Sequence, residues 1–232
     1  MLENVNKYKH LTEDYKEYIE LWIHEIKIPI ATSKLIIENN KSKETKSIDE
    51  ELGKIENFVE QVLYYARSNN VEKDYYISKT KLSEIVNSAI LKNKNILLSN
   101  KINLEIGDID KQVVTDSKWT IFILNQIIQN SVKYMNKDIK TMKIYAEEKK
   151  EKVILYIQDN GMGVGKGEIA RVYDKGFTGE NGRILGKKST GIGLYLCKKL
   201  CDRLGLGIEF NSQKDIGTEV KIIFPVVSHT NI

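Results

Sequence analysis

A chain of 232 residues has room for one large or two small domains, and a hydrophobic content of 41% is sufficient for an ordinary core. The 36 basic and 32 acidic residues give a net charge of only +4 and are interspersed, which argues against a nucleic-acid partner. No apolar run reaches the roughly 18 residues of a membrane span, and the N-terminus lacks the apolar core of a signal peptide. Cys197 and Cys201 lie one helical turn apart without a neighbouring histidine, so we expect reduced packing residues of a cytosolic protein.

The first 40 residues predict one long amphipathic helix. Its apolar stripe recurs at spacings of three and four, with one doubled step, and comprises Leu11, Tyr15, Tyr18, Trp22, Ile26, Ile30 and Ile37. His24 lies about 200° around the helix from Trp22, so burial of the stripe leaves its imidazole in water. Glu25 follows directly, and Pro29 removes the N–H that would bond the Glu25 carbonyl, at a cost of roughly 3 kcal/mol. Taken alone, this pattern also fits a surface histidine in a helix with an incidental proline.

A second helix is predicted after a polar turn at residues 39–47. Its apolar positions alternate four and three apart and comprise Ile48, Leu52, Ile55, Val59, Val62 and Ala66. The two apolar seams exceed what one hairpin can cover, so we expect two copies to pair as a four-helix bundle. The prediction for residues 1–70 is therefore an all-α hairpin in a homodimer. A monomeric hairpin packed on the rest of the chain is the alternative.

A polar linker at residues 69–74 precedes a second predicted domain, residues 71–232. Strands are predicted at 75–77, 101–106, 112–115, 142–147, 152–158, 207–211 and 219–224, and helices at 82–98, 117–135 and 192–204. Strand-rich hairpins with the helices gathered apart predict an α+β sandwich, with helices on one face of a mixed sheet.

The predicted helix at 117–135 carries a polar face. Gln126, Asn130, Lys133 and Tyr134 stand at positions i, i+4, i+7 and i+8, so they share one side of the helix. Amide oxygens are hard ligands that suit Mg²⁺, and Lys133 offers a point charge to a phosphate. The other interpretation is the ordinary solvent side of a helix.

Two glycine motifs flank a polar segment. Asp159-Asn-Gly161-Met-Gly163 follows a strand, which places a carboxylate that only accepts hydrogen bonds at the strand end, as the exocyclic amine of adenine requires. Gly191-Ile-Gly193 leads into a helix, whose first N–H groups and positive dipole end suit a phosphate. The segment between them, residues 172–188, has the composition of a mobile lid.

In this order and spacing, the motifs resemble the successive boxes of the bacterial sensor histidine kinases. The matching segments are His24-Glu25-x-x-x-Pro29 (H box), Asn130-x-x-Lys133-Tyr134 (N box), Asp159-x-Gly161-x-Gly163 (first glycine box), Phe177 (F box) and Gly191-x-Gly193-Leu194 (second glycine box). One such motif is weak evidence, but five in order over nearly the whole chain are not coincidence. The resemblance implies a dimerisation and phosphotransfer hairpin followed by a Bergerat-type ATP-binding domain.

The resemblance also implies the roles of these residues. His24 is the phosphoacceptor and Glu25 its general base, with ATP and Mg²⁺ as cofactors and an aspartate of a cognate response regulator as the next acceptor. Lys133 binds a phosphate and Asp159 the adenine. The remaining expected ATP-binding residues are Asn130, Tyr134, Gly161, Gly163, Phe177, Thr178, Gly191, Gly193 and Leu194. The expected metal ligands are Asn130 and Gln126.

This sequence departs from the family pattern at two positions. Gln126 stands where the family usually has the first asparagine of the N box, which affects metal geometry. Ile28, four residues after His24, replaces a threonine or asparagine tied to dephosphorylation of the partner, so we expect weak phosphatase activity.

The setting Trp22-x-His24-Glu25-Ile-Lys-x-Pro29 is also similar to the small-sensor kinases found beside antimicrobial-peptide transporters in Gram-positive bacteria. Members of that subclass carry membrane helices before the hairpin. The expectation is therefore a cytoplasmic protein, or a cytoplasmic portion held at the membrane by a sensor segment or transporter outside this chain.

Two other functions compete with a kinase. The ATP-driven machines of the same fold, such as gyrase and the Hsp90 chaperones, require a glutamate base where this chain has Gln126, and they lack an H box. A scaffold that binds nucleotide without transferring phosphate is the second alternative, and Gln126 and Ile28 are its motivation.

Overall fold

The computed structural model describes residues 2–40, 42–68, 75–180 and 190–226. The chain divides into two compact units, Met1–Asp74 and Tyr75–Ile232. The boundary predicted between residues 70 and 71 falls within 69–74, outside the described residues. In the part of the chain that is described, no helix is both long and apolar enough to cross a membrane.

The first unit is a hairpin of two helices, α1 (Leu2–Asn39) and α2 (Lys43–Arg67). Ion pairs join Glu20 to Arg67 and Lys34 to Glu56, so the helices run antiparallel. The turn predicted at 39–47 is too long. Ser42 accepts a hydrogen bond from the backbone N–H of Thr45, and its own N–H donates to the Thr45 hydroxyl, so a capping box starts α2 five residues before Ile48.

The hairpin buries a narrower face than the sequence predicts. Ile23, Ile30 and Val59 are almost fully buried between the helices. In contrast, Tyr18 is 64% exposed and Trp22 48% exposed, so a single hairpin does not cover the predicted stripe at these two positions. Apolar residues occupy several sides of α1, and the spacing alone did not reveal which side meets α2.

The second unit contains two sheets and five helices in the described residues. Its helices are α3 (Leu82–Lys92), α4 (Lys94–Ser99), α5 (Ser117–Lys133), α6 (Lys166–Ile169) and α7 (Gly193–Arg203). Its strands are β1 (Ser78–Lys81), β2 (Ile102–Ile106), β3 (Gln112–Thr115), β4 (Lys140–Lys149), β5 (Lys152–Asp159), β6 (Gly207–Gln213) and β7 (Gly217–Pro225).

The larger sheet has the strand order β2-β4-β5-β7-β6, with β2 parallel to β4 and all other neighbours antiparallel. Strands β1 and β3 form a separate antiparallel pair. Along β4, Met142 and Ile144 are buried while Lys143 between them is exposed, the alternation of a sheet with one covered face. Helix α5 packs against α3, α7 and β5, which places the motif-bearing helix in the core.

Two predicted elements of this unit are wrong in detail. Residues 75–77 do not form a strand, because the Tyr76 N–H donates to the Asp116 carboxylate at 2.7 Å and the strand begins at Ser78. The helix predicted at 82–98 is broken at Asn93. The Asn93 side chain donates to the Ala89 carbonyl and to Asn125 Oδ1, both at 2.8 Å. The other predicted elements are confirmed within a few residues.

Candidate active site

One cavity opens beside the end of β5, between α5 and the start of α7, and encloses about 900 Å³ including its open mouth. Nine of the ten residues that the sequence predicts for ATP line it: Asn130, Tyr134, Asp159, Gly163, Phe177, Thr178, Gly191, Gly193 and Leu194. Gly161 is not among the lining residues. Side chains from distant parts of the chain thus meet at one concave surface.

Asp159 ends β5, and its carboxylate lies in the cavity wall. Its Oδ1 accepts the Gly161 N–H at 2.9 Å. Burial raises the pKa of Asp159, while hydrogen bonds from the Ser131 hydroxyl and from the backbone N–H groups of Gly161 and Thr218 oppose that shift. The site therefore keeps a hydrogen-bond acceptor in a poorly hydrated wall, which suits an amine donor on a ligand.

The loop after β5 is held so tightly that it requires glycine. A Cβ on Gly161 would lie 2.7 Å from the Tyr134 carbonyl oxygen, and one on Gly163, where φ is +61°, would lie 1.9 Å from the Gln213 carbonyl oxygen. The Met162 N–H also donates to the Tyr134 carbonyl at 2.9 Å. Gly161 therefore shapes the cavity by fixing this loop against the end of α5.

Gly191 and Gly193 form the entrance to α7. Gly191 has φ of +64°, and a Cβ there would lie 2.4 Å from the Gly176 carbonyl carbon. Ile192, the N-cap, has no side-chain oxygen to bond the first N–H groups of α7. These groups and the helix dipole give the cavity an electropositive edge, which suits an anion.

The polar face of α5 is only partly in the cavity. Asn130 and Tyr134 line it, whereas Lys133 and Gln126 do not. The Lys133 Nζ lies 5.2 Å from the centroid of the Tyr134 ring, and burial lowers the pKa of Lys133. Gln126 is buried, with its Oε1 3.0 Å from where a Cβ on Gly193 would lie. Both predicted amide ligands therefore lie near the start of α7, but Gln126 is the more enclosed.

The donor set fits a magnesium ion shared with a ligand rather than one held by the protein alone. Among the described residues, no group of three or more His, Cys, Asp or Glu side chains could hold a metal. Asn130 offers an amide oxygen at the cavity wall. Mg²⁺ commonly takes one or two protein oxygens together with phosphates and waters, so Asn130 is compatible with it.

Several residues of the cavity lining were not among the predicted site residues. They include Ser131, Glu168, Val172, Gly179, Phe210 and Thr218. An isolated charge such as Glu168 gives no local signal in the sequence. The predicted lid, 172–188, is described only as far as Glu180, because residues 181–189 lie outside the described residues.

His24 and Glu25 lie in the other unit, on α1, and both are exposed, which confirms the prediction for His24. Helix α1 continues through Pro29. One turn further on, the Thr32 hydroxyl donates to the Ile28 carbonyl at 3.1 Å. The hairpin thus presents an accessible imidazole next to a carboxylate.

Known proteins share these features. Residues 115–228 match the family model described as histidine kinase-, DNA gyrase B-, and HSP90-like ATPase. The sensor histidine kinase YxdK of Bacillus subtilis strain 168 is 33% identical over 211 residues, which make up 89% of this chain and 64% of that protein. These matches support a sensor histidine kinase catalytic portion.

A second relative and a solved structure agree. The sensor protein kinase GraS of Staphylococcus aureus strain JH1 is 31% identical over 214 residues, 91% of this chain and 61% of that protein. The chain thus spans less than two thirds of the length of these relatives. The structure of the Acinetobacter baumannii histidine kinase AdeS has a TM-score of 0.61 at 18% identity, covering 88% of this chain and 98% of that one. The predicted ATP-binding α+β fold is confirmed for the second unit, and the ATPase family implies ATP as its ligand.

Proposed function

We propose that this chain is an ATP-dependent histidine kinase that phosphorylates His24 and then transfers the phosphoryl group to an aspartate of a response regulator. The observation that carries the proposal is the cavity of the ATPase unit, where Asp159, Asn130 and the start of α7 meet. An exposed His24-Glu25 pair on a separate helical unit supplies an acceptor for the phosphoryl group.

In the proposed ATP complex, the adenine amine donates to the Asp159 carboxylate. The phosphates lie at the start of α7, where the backbone N–H groups of Gly191 and Gly193 and the helix dipole favour negative charge. Lys133 lies outside the cavity lining, next to the Tyr134 ring, so its ammonium group has to turn toward the phosphates to bind one. Each contact is of the kind that positions a substrate, as phosphoryl transfer requires.

Mg²⁺ is the proposed second cofactor, and it neutralises charge on the phosphate oxygens when bound. Asn130 is its first proposed protein ligand, because its side chain lies in the cavity wall. Gln126 is the second, one helical turn earlier on α5. Its Oε1 packs near Gly193, so Gln126 has to turn toward the cavity to bind the metal.

The proposed transfer is an in-line displacement. A ring nitrogen of His24 attacks the γ-phosphorus, the bond from that phosphorus to the β,γ-bridging oxygen breaks, and ADP leaves. Glu25 accepts the ring proton that the phosphorylated imidazole loses. In the second step an aspartate oxygen of the response regulator attacks the same phosphorus and the phosphorus–nitrogen bond breaks. We propose that both steps take place in the cytoplasm, with any membrane sensor supplied from outside this chain.

We also propose that the hairpin pairs with a second copy as a four-helix bundle. Ten large apolar side chains of the hairpin are exposed in a single chain: Tyr18, Leu21, Trp22, Ile28, Leu35, Ile36, Ile48, Ile55, Phe58 and Val62. Such a dense apolar surface marks an interaction site in a stable protein. Two copies of an amphipathic hairpin cover most of it in the simplest way, as a homodimer, and leave the side chains near His24, such as Ile28, open to a partner.

Incubation with γ-labelled ATP and Mg²⁺ tests the proposed function. We expect a label on the protein that is labile in acid and stable in base, the behaviour of phosphohistidine. Nucleotide binding without any label would instead support the scaffold suggested by Gln126 and Ile28. Phosphate release without a protein-bound label would support an ATP-driven machine.

A further inference from the structure

We propose that Glu168 is a positioning residue that holds Thr178 and Gly179 in the wall of the nucleotide cavity. Glu168 lies on the short helix α6, is half-buried, and lines the same cavity as Thr178 and Gly179. The inference rests on the nucleotide site of the proposed function and adds to it a residue that belongs to none of the sequence motifs.

The contact is specific. Glu168 Oε1 accepts the backbone N–H of Glu180 at 2.9 Å. A Cβ on Gly179 would lie 3.2 Å from both carboxylate oxygens of Glu168, so the carboxylate packs flat against the Gly179 backbone. One side chain therefore bonds the main chain at residue 180 and fills the space beside residue 179. These contacts therefore fix the position of the backbone at residues 179 and 180.

The other end of this segment is fixed by the second glycine motif. The Gly176 N–H donates to the Gly191 carbonyl at 3.1 Å, and a Cβ on Gly191 would lie 2.7 Å from the Phe177 nitrogen. Thr178 lies between that contact and the Glu168 contact. With Gly176 and Glu180 both held, the backbone of Thr178 has little freedom to leave the cavity wall.

Other contacts in this region are weaker. Lys214 Nζ lies 3.8 Å from Glu180 Oε2, but these side chains are 62% and 65% exposed, so the pair contributes little. Arg171 stacks on the Phe177 ring at 4.6 Å, which steadies Phe177 rather than residues 178–180. A carboxylate has no donor and carries the same sign as a polyphosphate. Glu168 therefore acts through the backbone it holds and not by contacting the phosphates.

The test measures the ATP dissociation constant by calorimetry and the hydrogen exchange of the Glu180 amide. Glu168→Ala removes the acceptor, so we expect ATP binding to weaken about tenfold, ~1.4 kcal/mol, and the Glu180 amide to exchange faster. Glu168→Gln retains an amide oxygen as acceptor and should restore most of the lost affinity and protection. Glu180→Ala, which keeps the backbone N–H, is the matched control and should bind ATP nearly as the unmodified chain does.

A double-mutant cycle separates this contact from a general loss of stability. Gly179→Ala places a methyl group against the Glu168 carboxylate, so it should weaken ATP binding in the unmodified chain. In the Glu168→Ala background the same change should add almost nothing, because the group that it displaces is already gone. Additive effects of the two substitutions would contradict the proposal.

Two further results would overturn the proposal: unchanged ATP affinity of Glu168→Ala, or affinity of Glu168→Gln as low as that of Glu168→Ala. The second result would mean that Glu168 acts through its charge. Calorimetry does not depend on phosphoryl transfer. If the chain is never labelled by ATP, the kinase proposal is refuted. If ATP binding by that same chain still weakens in Glu168→Ala, the positioning role of Glu168 stands.

Discussion

The two units of the chain bury their apolar side chains in opposite ways. In the hairpin, Ile23, Ile30 and Val59 are the large apolar residues that are almost fully buried among the described positions, while ten others are exposed. In the second unit α5 alone buries seven apolar side chains. The second unit is therefore stabilised by its own core, whereas the hairpin presents a surface suited to partners. The nucleotide cavity lies in the second unit, and the exposed histidine lies in the hairpin.

The two units also place their reactive side chains in different surroundings. Asp159 works in a wall where burial raises its pKa, and such a wall requires a closed core around it. His24 is exposed, as the proposed role of acceptor and then donor of a phosphoryl group requires. Variants of one unit should therefore leave the other unit's property intact.

The largest expected effect is that of His24→Ala. This substitution removes the proposed acceptor, so labelling from γ-labelled ATP should be abolished. ATP binding measured by calorimetry should be unchanged, because the cavity lies wholly in the second unit. His10→Ala, the other histidine of α1, is the matched control and should label normally. Equal labelling of His24→Ala and the unmodified chain would refute the assignment of His24.

The next effect concerns the exposed surface of the hairpin. Ile55→Glu places a charge on a side chain that is 44% exposed in one copy and that we propose to be covered in the dimer. An uncompensated buried charge costs several kcal/mol, so the dimer dissociation constant in sedimentation should rise by more than about a hundredfold.

Lys54→Glu, one residue earlier in an exposed ion pair with Glu51, is the control and should leave the dimer intact. ATP affinity should be the same in both variants. A dimer that survives Ile55→Glu would show that this part of α2 lies outside the interface.

Asp159→Asn should weaken ATP binding and, in the free protein, raise the stability of the second unit. Loss of the charged acceptor should weaken ATP binding by roughly 1.5–3 kcal/mol, about 10- to 150-fold in the dissociation constant. Asp138→Asn, an exposed carboxylate outside the cavity lining, should change nothing. An unchanged constant for Asp159→Asn would mean that Asp159 is only the residue that ends a strand.

The free protein should become more stable in the same variant. Because the pKa of Asp159 is raised, the folded protein binds its proton more tightly than the unfolded chain does. Stability therefore falls as pH rises from the ordinary pKa through the raised one, and the full cost is present at pH 7. Asp159→Asn removes that charge and retains an oxygen that can accept the Gly161 N–H. Scanning calorimetry at pH 7 should show a higher melting temperature, and a lower one would contradict the stated cause of the shift.

The sequence predicted the motif-bearing parts of the second unit because their patterns are local. The polar face of α5 follows from helical spacing, and the need for glycine at Gly163 and Gly191 follows from positive φ and close backbone contacts. The helical spacing and the positive φ are properties of one turn or one loop, although the close contacts of the two glycines are with Gln213 and Gly176. The structure accordingly brings nine of the ten predicted ATP residues to one cavity.

The features that were missed depend on distant partners. The break at Asn93 is held by Asn125, 32 residues away, and Glu168 bonds a backbone N–H 12 residues away. Because nearly every residue has a backbone N–H, the sequence does not indicate which one a side chain bonds. On α1, Trp22 and Ile23 are both apolar, so spacing could not decide which of them faces α2. In each case the geometry of a second element decided the outcome.

The smallest expected effect is that of a substitution at Ile28, near His24. It concerns whether the kinase mainly phosphorylates or dephosphorylates its response regulator. Ile28 is 52% exposed one helical turn after His24, so its side chain borders the region where a partner's phosphorylated aspartate would lie. Hydrolysis of that aspartyl phosphate requires a water held in line, and isoleucine has neither donor nor acceptor to hold it. We therefore predict a kinase that phosphorylates its response regulator but dephosphorylates it slowly.

Ile28→Thr adds a hydroxyl at an exposed position, where a substitution changes stability by only about 0.5 kcal/mol or less. It should speed decay of a pre-phosphorylated receiver domain, with ADP and Mg²⁺ present, by a few-fold, while phosphorylation of His24 barely changes. Leu35→Thr, which makes the same kind of change at another exposed position of α1, should have no such effect. The opposite result would be rapid decay of the phosphorylated receiver domain with the unmodified chain, unaltered by Ile28→Thr or Ile28→Ala. In that case another group positions the water, and the polarity of residue 28 does not set the direction of phosphate flow.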